Sequence, residues 1–303
     1  MLRFIARRIV FIILITVLIV FFVHLGMGMI QNSEVDEPDY DLIRHGKRAW
    51  AETRAFLSQA SKGNLGYVSI NETLVPIKDY LWEAYKNSMG LLLVALVSAA
   101  VVGLYIGSVA ALTKHKKLVL PLLTLTLLGI STPSFFAGLL LQQGELRFVD
   151  VFGFRLVSMA GFGWDFKHML MPVLVLAARP LAYLTRAAFN SLSRVMQEDY
   201  IRTAFSKGVS FRRTVNVHAL LNVAVPMLTA VGVSLRFSLS TLPVVEYFFG
   251  WPGTGLRLLE AINGRQTAMV VALAAALGLT FLIVNLLLDI AYRIIDPRMK
   301  ELG

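Results

Sequence analysis

The sequence contains no cysteine among its 303 residues, and it is poor in charged residues. The absence of thiols excludes disulfide bonds and cysteine-ligated metal sites, and it leaves the redox compartment undetermined. Charged residues make up 16% of the chain and hydrophobic residues 56%, whereas soluble domains hold about 25% charged and about 45–50% apolar residues. The composition therefore predicts a membrane protein.

Signatures of catalysis are also missing from the sequence. There is no Gly-x-x-x-x-Gly-Lys-Ser/Thr, so any ATP must be bound by another chain, and neither His-Glu-x-x-His nor Gly-x-Ser-x-Gly supports a hydrolase. The histidines are scattered without metal-ligand spacing, and we interpret them as structural: His24, His45, His115, His168 and His218. The sequence predicts neither an enzyme nor a chain that binds a metal or cofactor itself.

Six apolar runs are long enough to cross a bilayer core of about 30 Å as helices. They lie at residues 9–29, 88–113, 118–142, 168–189, 219–249 and 267–292. The first run follows a basic start and no small-x-small cleavage pattern follows it, so we interpret it as an uncleaved anchor. The predicted fold is an all-α polytopic membrane protein, in which one N-terminal anchor helix precedes a five-helix core.

The distribution of charge predicts the orientation. With residues 1–30 holding a cytoplasmic start and the first span, 31–87 an extracytoplasmic segment and 88–303 the core, the cytoplasmic pieces contain 15 basic and 5 acidic residues. The outer pieces contain 12 basic and 14 acidic residues, and the opposite orientation would invert this bias. We expect both termini to be cytoplasmic, and the net charge of +10 needs no nucleic-acid partner.

The longest predicted cytoplasmic loop, residues 190–218, has the most informative pattern. Tyr200, Ala204 and Lys207 fall at i, i+4 and i+7, which predicts a short helix that stops at Gly208. Val209 and Phe211 then place apolar groups at a loop tip. One interpretation is a solvated basic connector that only sets topology, and the other is an amphipathic docking element that inserts into a partner's cleft.

Five stretches of the chain, in the same order, resemble motifs of dipeptide/oligopeptide-type ATP-binding cassette (ABC) permeases. The longest of these stretches is Glu-Asp-Tyr-Ile-Arg-Thr-Ala-Phe-Ser-Lys-Gly at 198–208, with His-Ala-Leu-Leu-Asn at 218–222 and Pro226. The others lie at 2–8, 63–66, 244–255, and 285–289 with 296–298. The resemblance covers nearly the whole chain.

The resemblance implies that the loop is the coupling helix that seats in a cleft of an ATPase. In the importer pattern Glu-Ala-Ala-x-x-x-Gly, the four defined positions are Arg202, Thr203, Ala204 and Gly208, and arginine in the first position is usual in this subfamily. The implied coupling residues are Tyr200, Arg202, Thr203, Ala204, Lys207, Gly208, Val209 and Phe211. ATP-driven closure of two ATPases would then switch the pathway between its inward-facing and outward-facing states.

The resemblance also implies partners and a location. These are a second, related permease, two ATPase subunits that hold ATP and Mg²⁺, and an extracytoplasmic substrate-binding protein, for which segment 31–87 helps to shape the docking surface. The chain would sit in lipid, in a prokaryotic inner membrane. Peptides are the expected substrate, and relatives carry nickel, glutathione or oligosaccharides.

Two arginines, Arg179 and Arg236, fall near the middle of predicted spans, where insertion costs at least about 2.5–3.5 kcal/mol. The family usually has glycine at both positions, and small residues at Ser240 and Thr241. Our hypothesis is that all four face a water-filled pathway and that the arginines contact an anionic group of the substrate. Alternatively, the arginines satisfy carbonyls freed by Pro180 or Pro243, or pair with acids of the second permease.

A glycine-rich segment precedes the last span. We interpret it as a structural turn, because Pro-Gly and Gly-x-Gly are typical of turns, although the segment could also cradle a ligand. The turn residues are Trp251, Pro252, Gly253 and Gly255.

Three other functions stay open from the residues alone. These are a secondary transporter for a small anionic solute, a membrane-embedded enzyme and a scaffold.

Overall fold

A computed structural model describes residues 2–32, 42–70, 73–113 and 116–295. The elements in chain order are α1 (Leu2–Asn32), α2 (Leu42–Ala60), β1 (Tyr67–Ile70), β2 (Thr73–Pro76), α3 (Ile77–Leu112), α4 (Lys116–Ser131), α5 (Ser134–Phe152), α6 (Phe166–Val195), α7 (Asp199–Ser206), α8 (Phe211–Arg213), a π-helical turn (Thr214–Ala219), α9 (Leu220–Phe249), α10 (Thr254–Asn263) and α11 (Thr267–Ile295). They form two compact units, Met1–Met89 with Gly250–Leu287, and Gly90–Phe249 with Leu288–Gly303.

Five helices among the described residues are long and apolar enough to cross a membrane. They span Arg3–Gln31, Ile77–Leu112, Phe166–Val195, Phe211–Phe249 and Thr267–Ile294. Each contains most of a run predicted from hydropathy, and the all-α membrane fold is confirmed. The helices extend beyond the apolar runs. An α-helix forms its backbone hydrogen bonds within itself, so it can continue into polar residues outside the bilayer.

The third predicted run, 118–142, is not one straight helix. Val119–Ser131 and Ser134–Phe152 meet at 111°, with the break at Thr132 and Pro133. Proline has no backbone N–H and disfavours helical geometry in the residue before it, so the chain turns there and α5 restarts at Ser134. The pair counts as a sixth span only if both helices together cross the membrane.

Segment 31–87 contains more regular structure than its polar composition indicates. Helix α2 is followed by a hairpin in which Val68 pairs with Val75, and α3 begins at Ile77, well before the apolar run at 88. Ile77 is fully buried, and its N–H donates to the Gly66 carbonyl at 3.0 Å. These elements build the core of the first unit together with Met27 of α1 and Leu273 of α11.

Small residues allow close helix packing in the second unit. A Cβ on Gly103 would lie 2.8 Å from the Leu181 carbonyl oxygen of α6, which is closer than real Cβ contacts come. Such small-residue interfaces are typical of membrane helices.

Helix α6 is capped at its N-terminus by Asp165, whose side chain accepts hydrogen bonds from the backbone N–H groups of Lys167 and His168. The hydrogen bond with the His168 ring lowers the pKa of Asp165, so this cap is ionised at neutral pH.

Candidate functional site

The predicted docking helix is present as α7, Asp199–Ser206. Gly208 follows it with a positive φ of 77°, and its N–H donates to the Phe205 carbonyl at 2.9 Å, which is the geometry of a glycine that ends a helix. Ile201 is fully buried and belongs to a core cluster with Leu192 at the end of α6 and Val223 at the start of α9. Helix α7 is therefore anchored on two membrane-spanning helices.

The opposite side of this region is an exposed aromatic surface. Tyr200, Phe205 and Phe211 are each 41–50% exposed. The rings of Phe205 and Phe211 are stacked, with centroids 6.3 Å apart and planes at 10°. We call these three residues the aromatic tip. Sequence analysis missed Phe205; the signal available was a large aromatic residue between positions assigned to coupling.

The remaining residues of the predicted coupling set have different surroundings. Arg202 is exposed and pairs with Asp199 of its own helix at 3.2 Å, a contact worth little in water. Thr203 donates from its hydroxyl to the Asp199 carbonyl, Lys207 is exposed and Val209 is half-buried. Ala204, by contrast, is only 8% exposed and faces the chain itself. Its small size lets α7 pack, and it contributes almost nothing to a docking surface.

A π-helical turn, Thr214–Ala219, connects this region to α9. Such wide turns are rare and are frequently found at functional sites. The turn lies within the continuous helical span Phe211–Phe249, so a displacement of the aromatic tip acts on the end of a membrane span. Nothing in the sequence pattern predicted this turn.

Arg179 lies on α6 beside the broken pair α4–α5. Its Nη2 donates to the Ile130 carbonyl at 3.2 Å, and its guanidinium lies 5.8 Å from the centroid of the Phe237 ring. Ile130 is near the end of α4, where the helix loses its own donors. Arg179 thus donates to a backbone carbonyl, as one alternative held, but this carbonyl lies at the break before Pro133 and not beside Pro180 or Pro243.

Arg236 has a partner within the same chain. Its Nη2 lies 3.4 Å from Oδ1 of Asp289 on α11, and the two side chains are 35% and 21% exposed. One alternative in the sequence analysis paired the arginines with acids of the second permease. The structure corrects this, because α9 and α11 bring the two residues together in the second unit.

A cavity of about 980 Å³ lies between α4, α5, α6 and α9. Its lining includes Arg179 and Thr241 but neither Arg236 nor Ser240. The Thr241 hydroxyl donates to the Phe237 carbonyl at 3.0 Å, so it is turned toward its own helix. Arg179 is the one charged residue of an otherwise largely apolar lining within the described part of the chain. Of the four predicted pathway residues, Arg179 and Thr241 line this cavity, and the pathway role of all four stays a prediction.

The glycine-rich segment forms a buttressed turn in the first unit. Trp251 is fully buried, and its Nε1 donates to the Asn87 carbonyl at 3.1 Å. Asn87 in turn donates to the Pro252 carbonyl, and Ser88 accepts from the backbone N–H of Thr254 at 2.7 Å. Gly253 caps α10, whose first turn contains Gly255. This geometry favours the interpretation as a structural turn.

The sequence matches the family described as binding-protein-dependent transport system inner membrane component over residues 103–301. It is 29% identical to the glutathione transport system permease protein GsiC of Escherichia coli (strain K12), with 99% of both chains covered. It is 28% identical to the dipeptide transport system permease protein DppB of the same strain, again over 99% of both chains. The matched region contains the aromatic tip, both arginines and the cavity.

Proposed function

This chain belongs to the family of binding-protein-dependent transport system inner membrane components, the permeases of ABC importers, and on that basis we propose that it forms part of the pathway for di- or oligopeptides. It is a transport subunit and not an enzyme. Membership of this family excludes the secondary-transporter, enzyme and scaffold alternatives. The complex would contain a second, related permease, two ATPase subunits holding ATP and Mg²⁺, and an extracytoplasmic binding protein that docks on segment 31–87. Both termini of this chain would face the cytoplasm.

The aromatic tip is the observation that carries the coupling role. Exposed, stacked aromatic rings on a rigid base are typical of residues that dominate an interface, because they bury a large area without losing much side-chain freedom. The base consists of Ile201 and Ala204, which are buried against the chain. Because α7 packs on α6 and α9, a movement of an ATPase bound to α7 would displace these two helices together with it.

The test is co-purification of the ATPase with this chain from cells that express the neighbouring genes. Phe205→Asp with Phe211→Asp is expected to weaken the association by about 30-fold, as for the loss of an interface residue worth about 2 kcal/mol. Phe154→Asp is the matched control, because Phe154 is 56% exposed but lies in the loop after α5. Equal ATPase recovery for the tip variant and the control would overturn the coupling role.

A second variant, at Ala204, distinguishes a loss of docking from a loss of folding. Ala204→Trp would displace α7 from its buried seat, so we expect loss of both the ATPase and thermal stability. The tip variant loses the ATPase alone, since its side chains are exposed. A tip variant that is as unstable as Ala204→Trp would contradict an exposed docking surface.

The substrate proposal rests on the named relatives, which transport glutathione and dipeptides. Both compounds are short peptides with a free carboxylate, and Arg179 supplies a cation at the cavity. Uptake into proteoliposomes that hold the complete importer tests this proposal. Labelled dipeptide should enter and be displaced by excess glutathione or tripeptide. Displacement by nickel or an oligosaccharide, and not by peptides, would refute a peptide substrate.

A further inference from the structure

A groove of about 500 Å³ separates the first turns of α3 from α11 in the first unit. Lys78, Trp82 and Tyr85 form the edge on α3. Leu279, Ile283 and Leu287 form a stripe at four-residue spacing on α11, about 12 Å long at the helical rise. The hydroxyl of Thr280, a polar group on the α11 wall, donates to the Ala276 carbonyl of the same helix. The α11 wall is therefore a hydrocarbon surface.

This stripe lies on a helix that qualifies as a membrane span, Thr267–Ile294. Leu279, Ile283 and Leu287 are 38%, 42% and 59% exposed. The stripe is thus accessible along its length, and in a membrane the medium at this depth is the lipid acyl chain.

The α3 edge has the chemistry of a headgroup boundary. The rings of Trp82 and Tyr85 are stacked, with centroids 6.2 Å apart and planes at 15°. Tryptophan and tyrosine concentrate at the interface of bilayers, where one part of the ring is dry and the other is wet. Lys78 precedes Trp82 by one helical turn on the same face and is exposed. Among the described residues no carboxylate lies within 4 Å of its ammonium group, whereas Arg257 of the same unit pairs with Glu260 at 2.8 Å.

We propose that this groove binds an anionic phospholipid. The phosphate pairs with Lys78, the glycerol region lies against Trp82 and Tyr85, and one acyl chain follows the stripe of Leu279, Ile283 and Leu287. The charge of Lys78 selects an anionic over a zwitterionic headgroup, because a zwitterionic lipid brings its own cation. The site is independent of the transported substrate and of the aromatic tip.

The experiment uses the full-length chain purified with its co-expressed partners in detergent. The protein is incubated with equal amounts of phosphatidylglycerol and phosphatidylcholine and washed, and the retained lipids are measured by mass spectrometry. Lys78→Gln is expected to lower the retained ratio of phosphatidylglycerol to phosphatidylcholine about fivefold, which corresponds to about 1 kcal/mol for one basic residue at an anionic surface. Lys86→Gln is the matched control, since Lys86 is exposed on the same helix but does not line the groove.

A second variant tests the apolar half of the site. Ile283→Ser on the α11 stripe is expected to reduce retention of both lipids by a similar factor, because it removes acyl-chain contact and leaves the charge intact. Equal ratios for Lys78→Gln and Lys86→Gln would overturn the proposal. It would also fail if Trp82→Ala released the second permease while lipid retention stayed unchanged, because the groove would then be a contact between subunits.

Discussion

Both mid-span arginines lie in the second unit, Arg179 on α6 and Arg236 on α9, yet their charges have different partners. Arg236 meets a carboxylate, Asp289, at 3.4 Å. Arg179 meets a carbonyl oxygen and the face of Phe237, and no carboxylate of the described residues forms an ion pair with it. The comparison teaches that position in a span does not decide a role. Arg236 joins two helices through its ion pair, whereas Arg179 lines an apolar cavity.

Removal of the carboxylate should have the largest effect. Asp289→Ala leaves Arg236 without its counter-ion, and we expect a loss of about 2–3 kcal/mol in the free energy of unfolding, less than the 3–5 kcal/mol of a fully buried pair because both groups are partly exposed. Unfolding of the detergent-solubilised protein in denaturant measures this. Glu52→Ala breaks the exposed pair with Arg48 and should change stability by less than about 1 kcal/mol. Equal losses of stability for Asp289→Ala and Glu52→Ala would mean that the pair of Arg236 and Asp289 contributes no more than an exposed ion pair.

Loss of both charges should restore most of that stability. Arg236→Met combined with Asp289→Leu replaces the ion pair by apolar contact, which is often neutral in a low-dielectric setting. We expect the double variant to lie within about 1 kcal/mol of the parent, and a double-mutant cycle to give a coupling of at least about 1 kcal/mol. A double variant as unstable as Asp289→Ala would show that the side-chain shapes, and not the charges, hold α9 to α11.

Arg179 should affect transport more than folding. Arg179→Met leaves the Ile130 carbonyl without its donor, at a cost of about 1–2 kcal/mol, and removes the charge of the cavity. We expect proteoliposome uptake of a peptide with a free C-terminus to fall at least tenfold, and uptake of the amidated peptide to change little. Arg179→Lys keeps the charge and should retain most of the uptake. If methionine and lysine at this position reduce uptake equally, the charge has no part in recognition.

The ring beneath Arg179 should have the smallest effect. Phe237→Leu preserves apolar volume and removes the cation–π contact, which is worth about 0.5–1 kcal/mol. The apparent affinity for peptide should change less than in Arg179→Met. An effect larger than that of Arg179→Met would mean that Phe237 contacts the substrate itself.

Local patterns in this chain were predictable and long-range pairings were not. The end of α7 at Gly208 followed from spacing and glycine chemistry within a few residues, and the spans followed from hydropathy. The pair of Arg236 and Asp289 joins positions far apart in the chain, and no spacing rule connects them. The inward direction of Ala204 and the exposure of Phe205 depend on how α7 seats on its neighbours, which a motif does not encode.

The bend between α4 and α5 was hidden for a related reason. Spanning helices tolerate proline when neighbours satisfy the freed carbonyls, so Pro121 and Pro133 carried equal weight in the sequence. The structure keeps Pro121 inside α4 and breaks the chain at Pro133, where Arg179 supplies the missing donor to Ile130. The proline breaks the helix, and an arginine that is remote in sequence donates to a carbonyl at the end that results.

The 111° bend also decides the parity of the membrane crossings. If α4 and α5 together cross the bilayer, four crossings precede α7 and place it on the side where α1 begins; if they enter and return, three crossings place α7 on the opposite side, away from a cytoplasmic ATPase. The coupling role therefore requires the bent pair to cross. A chain without cysteine is its own background for this measurement. If the pair crosses, Phe154→Cys should react with an impermeant maleimide from the outer side and Phe211→Cys from the cytoplasmic side; a pair that returns would exchange the two sides.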